Sequence, residues 1–393
     1  MEFVKKIHDT KVFIGYNQEN NVGRHIKYSG GSRVLVNYSK NNPKVICLID
    51  KIKRSLKAAG LDFFELASDS PNPRIENIFD GIKLCKTEHL DFVLSIGGLS
   101  EFATSKLVAA ASLYDDNFYN LFHPDTEVKN ALPVGIISTS VCGGNAFTSR
   151  ATVSQRLDDK SLTFYSCMSE VLVPKFVICN AELTNYDEQP LETNISRLVT
   201  LLIYRYFEST FHSSLLSENL SLANLKTVLS LYEKIKECPL NLTYIENIMV
   251  SSIIANTGFV YDKMRNDPII HIAKAVVSVF DCSLDKALAL VTIGWLDFVM
   301  HKHAVSIAKL GKEVFMLDYE FYNPVISAKH TVNAIKDLYS KLGYPTTLNM
   351  LGGDASTIEK IIYKLGFPER QHLDSTEALD QKECESLLAL TME

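Results

Sequence analysis

The stretch Asp91–Lys106, DFVLSIGGLSEFATSK, decides how the first half of the chain folds. Its first part, DFVLSIGG, is apolar without alternation, the pattern of a strand buried on both faces. The run stops at Gly97 and Gly98 and passes into EFATSKLVAAASLY (101–114), which is spaced as a helix. A strand that ends at paired glycines and opens a helix is a common phosphate cradle. The helix N-terminus presents free N–H groups, and glycine lets the backbone come close. Here Leu99 stands where a third glycine is expected.

The surroundings repeat the alternation of strand and helix. KVFIGY (11–16), RVLVNYS (33–39), DFFELAS (62–68) and LPVGIISTS (132–140) read as strands. VICLIDKIKRSLKAAG (45–60) has apolar residues at helical spacing and stops at Gly60, a natural C-cap. SPNPRIENIFDGIKLCKTEHL (70–90) opens with a proline turn and continues as an amphipathic helix. This order predicts a mainly parallel sheet. Ligands of such sheets sit beyond the carboxyl ends of the strands. Three turns lie there: NYSKNNPK (37–44), GGLSEFA (97–103) and STSVCGGNAF (138–147).

After PKFVICNAEL (174–183) strand signals almost vanish. Helical patterns follow over 192–214, 219–236, 242–263, 268–281, 284–311 and 326–342. We therefore expect two domains, 1–183 built on a parallel sheet and 184–393 all-helical, with a small-molecule site in the cleft between them.

Composition narrows the functional classes. A hydrophobic content of 46%, a charged content of 22% and a formal net charge of −6 are those of an ordinary globular protein and give no basic patch for nucleic acid or membrane. The first residues hold no apolar core of signal-peptide length, and no apolar run reaches a membrane span. The expected location is cytoplasmic. The eight cysteines form no CxxC pair, and most lie in apolar runs as expected of buried free thiols. Cys142, in a Gly-rich turn, is the best candidate for a reactive thiol.

The order of motifs resembles the iron-containing (group III) alcohol dehydrogenases, and among them the butanol-dehydrogenase-like branch. PNPxxxxxxxGxxxC (71–85) followed by DFVLSIGG carries the resemblance. LPVGIISTSVCGGNAF, VPKFVICNAELT, IGWLDFVMHKHAVSIAKLGKEVF and LYSKLGYPTTLNMLG extend it over nearly the whole chain. It implies a Rossmann-like domain plus an all-α domain, the fold shared with dehydroquinate synthase. It also implies NAD(P), and a divalent metal held by one Asp and three His, acting as a Lewis acid during hydride transfer.

Residue by residue, the resemblance assigns cofactor contacts to Gly97, Gly98, Ser100, Lys106, Thr139, Ser140 and Gly144. Against the family pattern GGGSxxD, Leu99 and Ala103 weaken the phosphate turn, so NAD(P) binding is expected in weakened form. The second turn keeps its hydroxyls but ends in Asn145-Ala146. The family's glycine-rich YGGGS becomes Asn37-Tyr38-Ser39-Lys40, where Lys40 and Lys44 could meet a 2′-phosphate. The metal positions change more. Matching YRYF places Arg197 at the aspartate and Leu201 at one histidine; a one-residue slip gives Leu198 and Leu202. Anchoring on Trp295 places Leu284 at another histidine, and Lys274, or His271 after a small insertion, at the third. A metal site needs ligand number and geometry together, so the metal is expected to be absent. His301 and His303, two apart, would not share a helical face.

His271 and Lys274 are three apart and could share a helix face. With Arg197 they would form a metal-free cationic site for an oxyanion, carboxylate or phosphate, or else a salt-bridged cluster of structural value. Three functions follow. One is a non-redox binding, scaffold or regulatory protein, acting as a homodimer or on a partner enzyme. The second is a redeployed metal-free enzyme. The third is an NAD(P)-dependent alcohol or aldehyde oxidoreductase with an unrecognised metal site.

Overall fold

From the amino terminus the chain forms β1 (Lys11–Ile14), α1 (Val22–Tyr28), β2 (Arg33–Ser39), α2 (Pro43–Ala58), β3 (Asp62–Ser68), α3 (Ile75–Thr87), β4 (Phe92–Gly97), α4 (Leu99–Ser112) and β5 (Val134–Ser138). A two-stranded sheet of β6 (Arg150–Arg156) and β7 (Leu162–Met168) follows, then β8 (Phe176–Cys179). The computed structural model describes residues 9–40, 43–68, 74–123, 125–156, 162–187, 189–211, 214–239, 241–257, 268–354, 356–367, 371–373 and 378–392. The proline turn expected at 70–73 lies outside them.

Six strands join in the order β1-β8-β5-β4-β2-β3, all parallel. β4 sits inside the sheet and is buried along its whole length, as its unbroken apolar run requires. One face of the sheet (Val34, Val36, Phe92, Leu94, Ile96, Phe176) packs on α1 and α2 through Val22, Ile26, Leu48, Ile49, Ile52 and Leu56. On α4 nearly every side chain from Phe102 to Ala111 is buried. α3 and α4 approach closely at Gly81, where an added Cβ would lie 2.6 Å from Val108 Cγ2. That contact gives the glycine of PNPxxxxxxxGxxxC its physical reason.

The remaining elements are α5 (Leu191–Phe211), α6 (Leu215–Glu237), α7 (Leu242–Asn256), α8 (Pro268–Phe280), α9 (Leu284–Phe298), α10 (Ala304–Phe315), α11 (Pro324–Lys341), α12 (Thr357–Lys364) and α13 (Gln381–Ala389). The chain divides into two units. One comprises 1–155, 163–190 and 234–257; the other comprises 156–162, 191–233 and 258–393. The expected boundary at 183/184 thus moves to 190/191, and α7 returns to the first unit. The reason is local: α7 lies against the second glycine turn, where the Gly144 N–H donates to Ser252 Oγ at 3.2 Å. Within the second unit, Tyr206, Phe207 and Trp295 form a buried aromatic group, with Phe207 and Trp295 edge to face at 5.0 Å.

The single helix expected over 284–311 is two. α9 ends at Phe298, and α10 starts after His303, its N-cap. His301 and His303 therefore lie in the intervening turn and not on a helix face. His301 is exposed, and the His303 ring sits 5.0 Å from that of Phe211. Among the described residues no helix is long and apolar enough to cross a membrane.

Candidate functional site

The head of α4 is built from β4 and its glycines. Gly97 has φ +145°, a conformation that side chains rarely adopt. Gly98 is the N-cap, and its N–H donates to Oε2 of Glu101 at 2.9 Å. A carboxylate in the first helical turn is favoured by the macrodipole and satisfies an otherwise orphan donor. From the neighbouring strand, Asn37 Nδ2 donates to the Glu101 carbonyl (3.1 Å) and to Ser105 Oγ (2.9 Å). Asn37 Oδ1 is buried with no hydrogen-bond partner, as is Ser95 Oγ at the paired register on β4.

The second turn is stitched to the first and to α7. Thr139 N–H donates to the Gly97 carbonyl at 2.8 Å. Cys142 N–H donates to Ser140 Oγ at 3.2 Å, and Ser138 Oγ to the Ser140 carbonyl at 3.0 Å. Three backbone N–H groups of this turn, on Thr139, Cys142 and Gly144, are thus already committed to protein acceptors. Thr139, Ser140 and Cys142 are buried. Cys142, the best candidate for a reactive thiol, is thus buried like most of the other cysteines and shut off from solvent.

Of the seven assigned cofactor residues, Gly97, Lys106, Thr139, Ser140 and Gly144 are buried, and Gly98 and Ser100 are half-buried. Lys106 is 1% exposed and donates from Nζ to the Thr148 carbonyl at 2.6 Å. Burial disfavours the ammonium and brings its pKa from 10.5 down to about 7. Tyr38 donates to Glu65 at 2.7 Å, so the NYSK segment begins in a side-chain pair. The Lys44 side chain lies outside the described ones.

The buried lysine predicts a pH effect. Between about pH 7 and pH 10 the unfolded chain keeps a proton on this lysine that the folded chain releases, so stability rises with pH. The buried thiols of Cys85 and Cys167, pushed up to about 11, act in the opposite sense from about pH 9. The clear window is therefore about pH 7 to 9, with a gain on the order of 3 kcal/mol. Urea unfolding should show wild-type stability rising across that window. Lys106→Met should flatten the rise and be the more stable protein below pH 7.

In the helical unit Arg197, on α5, is bound by Asp285, in the first turn of α9. The contact is bidentate, Nε to Oδ1 and Nη2 to Oδ2, the latter at 2.8 Å. The Asp285 side chain is 7% exposed and that of Arg197 23%. Tyr344, 7% exposed, lies by this pair, and burial raises its pKa. Arg197, expected in either a cationic site or a salt-bridged cluster, is one half of an ion pair. Its partner escaped sequence reading because 88 residues separate the two. His271 and Lys274 lie half-buried on α8, three residues apart.

Both groups implied by the resemblance can be tested against these residues. Among the described residues no cluster of three or more His, Cys, Asp or Glu could hold a metal ion. The position assigned to the ligand aspartate carries a guanidinium already paired with Asp285. These residues do not fit a divalent metal. At the α4 turn the N-cap N–H is held by a carboxylate. A pyrophosphate bound there would use the N–H groups of the helix N-terminus, of which the Gly98 donor is already taken.

A parallel sheet with glycine turns at its carboxyl edge, followed by a run of helices, is an architecture that known proteins share. Residues 9–181 match a family model described as iron-containing alcohol dehydrogenase. The chain is 26% identical over 348 residues to NADH-dependent butanol dehydrogenase B of Clostridium acetobutylicum, covering 87% of each chain. It is 25% identical to probable NADH-dependent butanol dehydrogenase 1 of Bacillus subtilis, covering 86% of this chain and 87% of that one. The solved structure of NADH-dependent butanol dehydrogenase A from Thermotoga maritima shares the fold, with a TM-score of 0.89 at 22% identity, over 100% of this chain and 99% of that one.

Proposed function

We propose that this protein does not carry out metal-dependent alcohol oxidation, and that it serves as a non-redox binding, scaffold or regulatory protein. The observation that carries the reading is the Arg197–Asp285 pair. A guanidinium is permanently charged and cannot be deprotonated to make room for a metal. It offers a metal no lone pair, and the Asp285 carboxylate beside it is already engaged by both of its nitrogens. The same pair disfavours a metal-free enzyme centred on Arg197, because Nε and Nη2 of the guanidinium are already engaged by Asp285.

The named relatives are NADH-dependent butanol dehydrogenases, which makes NADH, NADPH and butanal the substrates to try. The purified protein, supplied with iron or zinc, is expected to oxidise neither nucleotide above the protein-free rate. A metal-dependent turnover of about 1 per second or more, ordinary for an enzyme, would sink the proposal. The role is then exerted through a bound ligand, a second copy of the chain or a partner enzyme.

A further inference from the structure

We infer that Glu101 is the residue that closes the α4 turn to phosphates, acting as a built-in substitute for the anion. Three features make the carboxylate part of the turn. Its Oε2 accepts the Gly98 N–H at 2.9 Å. Its backbone is fixed by Asn37, whose Nδ2 reaches the Glu101 carbonyl at 3.1 Å. Its side chain lies against Gly97, where an added Cβ would meet Oε2 at 2.6 Å and the Glu101 Cγ at 2.7 Å. Gly97 thus leaves room for a carboxylate of the same chain.

The consequence is electrostatic. A helix N-terminus attracts an anion through its free N–H groups and the positive end of the macrodipole. Here a negative charge already sits at that end and takes the N-cap donor. A pyrophosphate arriving at the turn would meet a like charge and would have to displace an intramolecular hydrogen bond. Asn37 Oδ1, a buried atom beside this turn with no hydrogen-bond partner, is an acceptor too. Leu99 adds bulk, but Glu101 sets the sign. The turn is therefore set against phosphorylated ligands.

Calorimetric titration of the full chain with inorganic pyrophosphate, and separately with NADH, tests the assignment. Glu101→Ala removes the charge and frees the Gly98 N–H. It should bind both probes at least about tenfold more tightly than wild type. Glu101→Gln keeps an acceptor for that N–H and loses only the charge, so its gain should be smaller but of the same sign. It also serves if the alanine variant fails to fold. Unchanged pyrophosphate affinity in folded Glu101→Gln and Glu101→Ala would overturn the inference. So would low-micromolar NADH binding by the wild-type protein. The inference rests on α4 alone, so a metal found in the helical unit would defeat the proposed function and leave this one standing.

Discussion

Arg197→Ala is expected to destabilise the helical unit by about 3 kcal/mol, the lower end of the range for breaking a buried ion pair. The lower end applies because the Arg197 side chain keeps 23% exposure while that of Asp285 keeps only 7%. Without its guanidinium the Asp285 carboxylate is left desolvated and unpaired. The reverse change, Asp285→Ala, should cost less, about 1–2 kcal/mol, because the longer arginine can turn its head toward water. Replacing both with apolar residues should recover most of the loss. Urea unfolding of the wild type, the two single variants and the double variant closes the cycle. A coupling near zero would mean that the pair does not hold α5 to α9.

Gly144→Ala should be comparably severe in the first unit. An added Cβ would overlap the Ser252 carbonyl oxygen, a backbone atom of α7 that cannot swing aside. The turn or α7 must then shift and the Gly144 N–H to Ser252 Oγ bond is lost, at a cost of about 3 kcal/mol or more. Gly143→Ala is the control. Its Cβ would meet Ser138 Oγ at 2.7 Å, a side-chain atom that can turn aside by giving up its bond to the Ser140 carbonyl, so a smaller loss of about 1–2 kcal/mol is expected. Thermal unfolding of the two variants side by side reads the difference. Equal melting temperatures would show that α7 yields freely at this contact.

Local pattern made the sheet legible. RVLVNYS and DFFELAS are β2 and β3 residue for residue, because β-branched and aromatic runs bounded by Gly and Ser have one local reading. The two-stranded β6–β7 sheet was not foreseen: RATVSQR and LTFYSCM mix polar and apolar residues on half-buried strands, with no long apolar run. The break between α9 and α10 lacks glycine and proline, so the apolar spacing reads through it.

The site was legible only in part. Glu101 stands three residues after its N-cap, the spacing of a capping box, but a glycine at the cap hides the signal. Asp285 could not be found from sequence, because nothing local distinguishes an acid in the first turn of a helix from one that holds an arginine 88 positions away. The grouping of α7 with the sheet rests likewise on the long-range contact of Gly144 with Ser252.

The central claim is that an ion pair stands in place of a metal. Elemental analysis of the purified chain, produced in medium replete in iron and zinc, tests it most directly. The Arg197–Asp285 pair predicts iron and zinc far below one ion per chain. Stoichiometric iron or zinc that survives dialysis would contradict it.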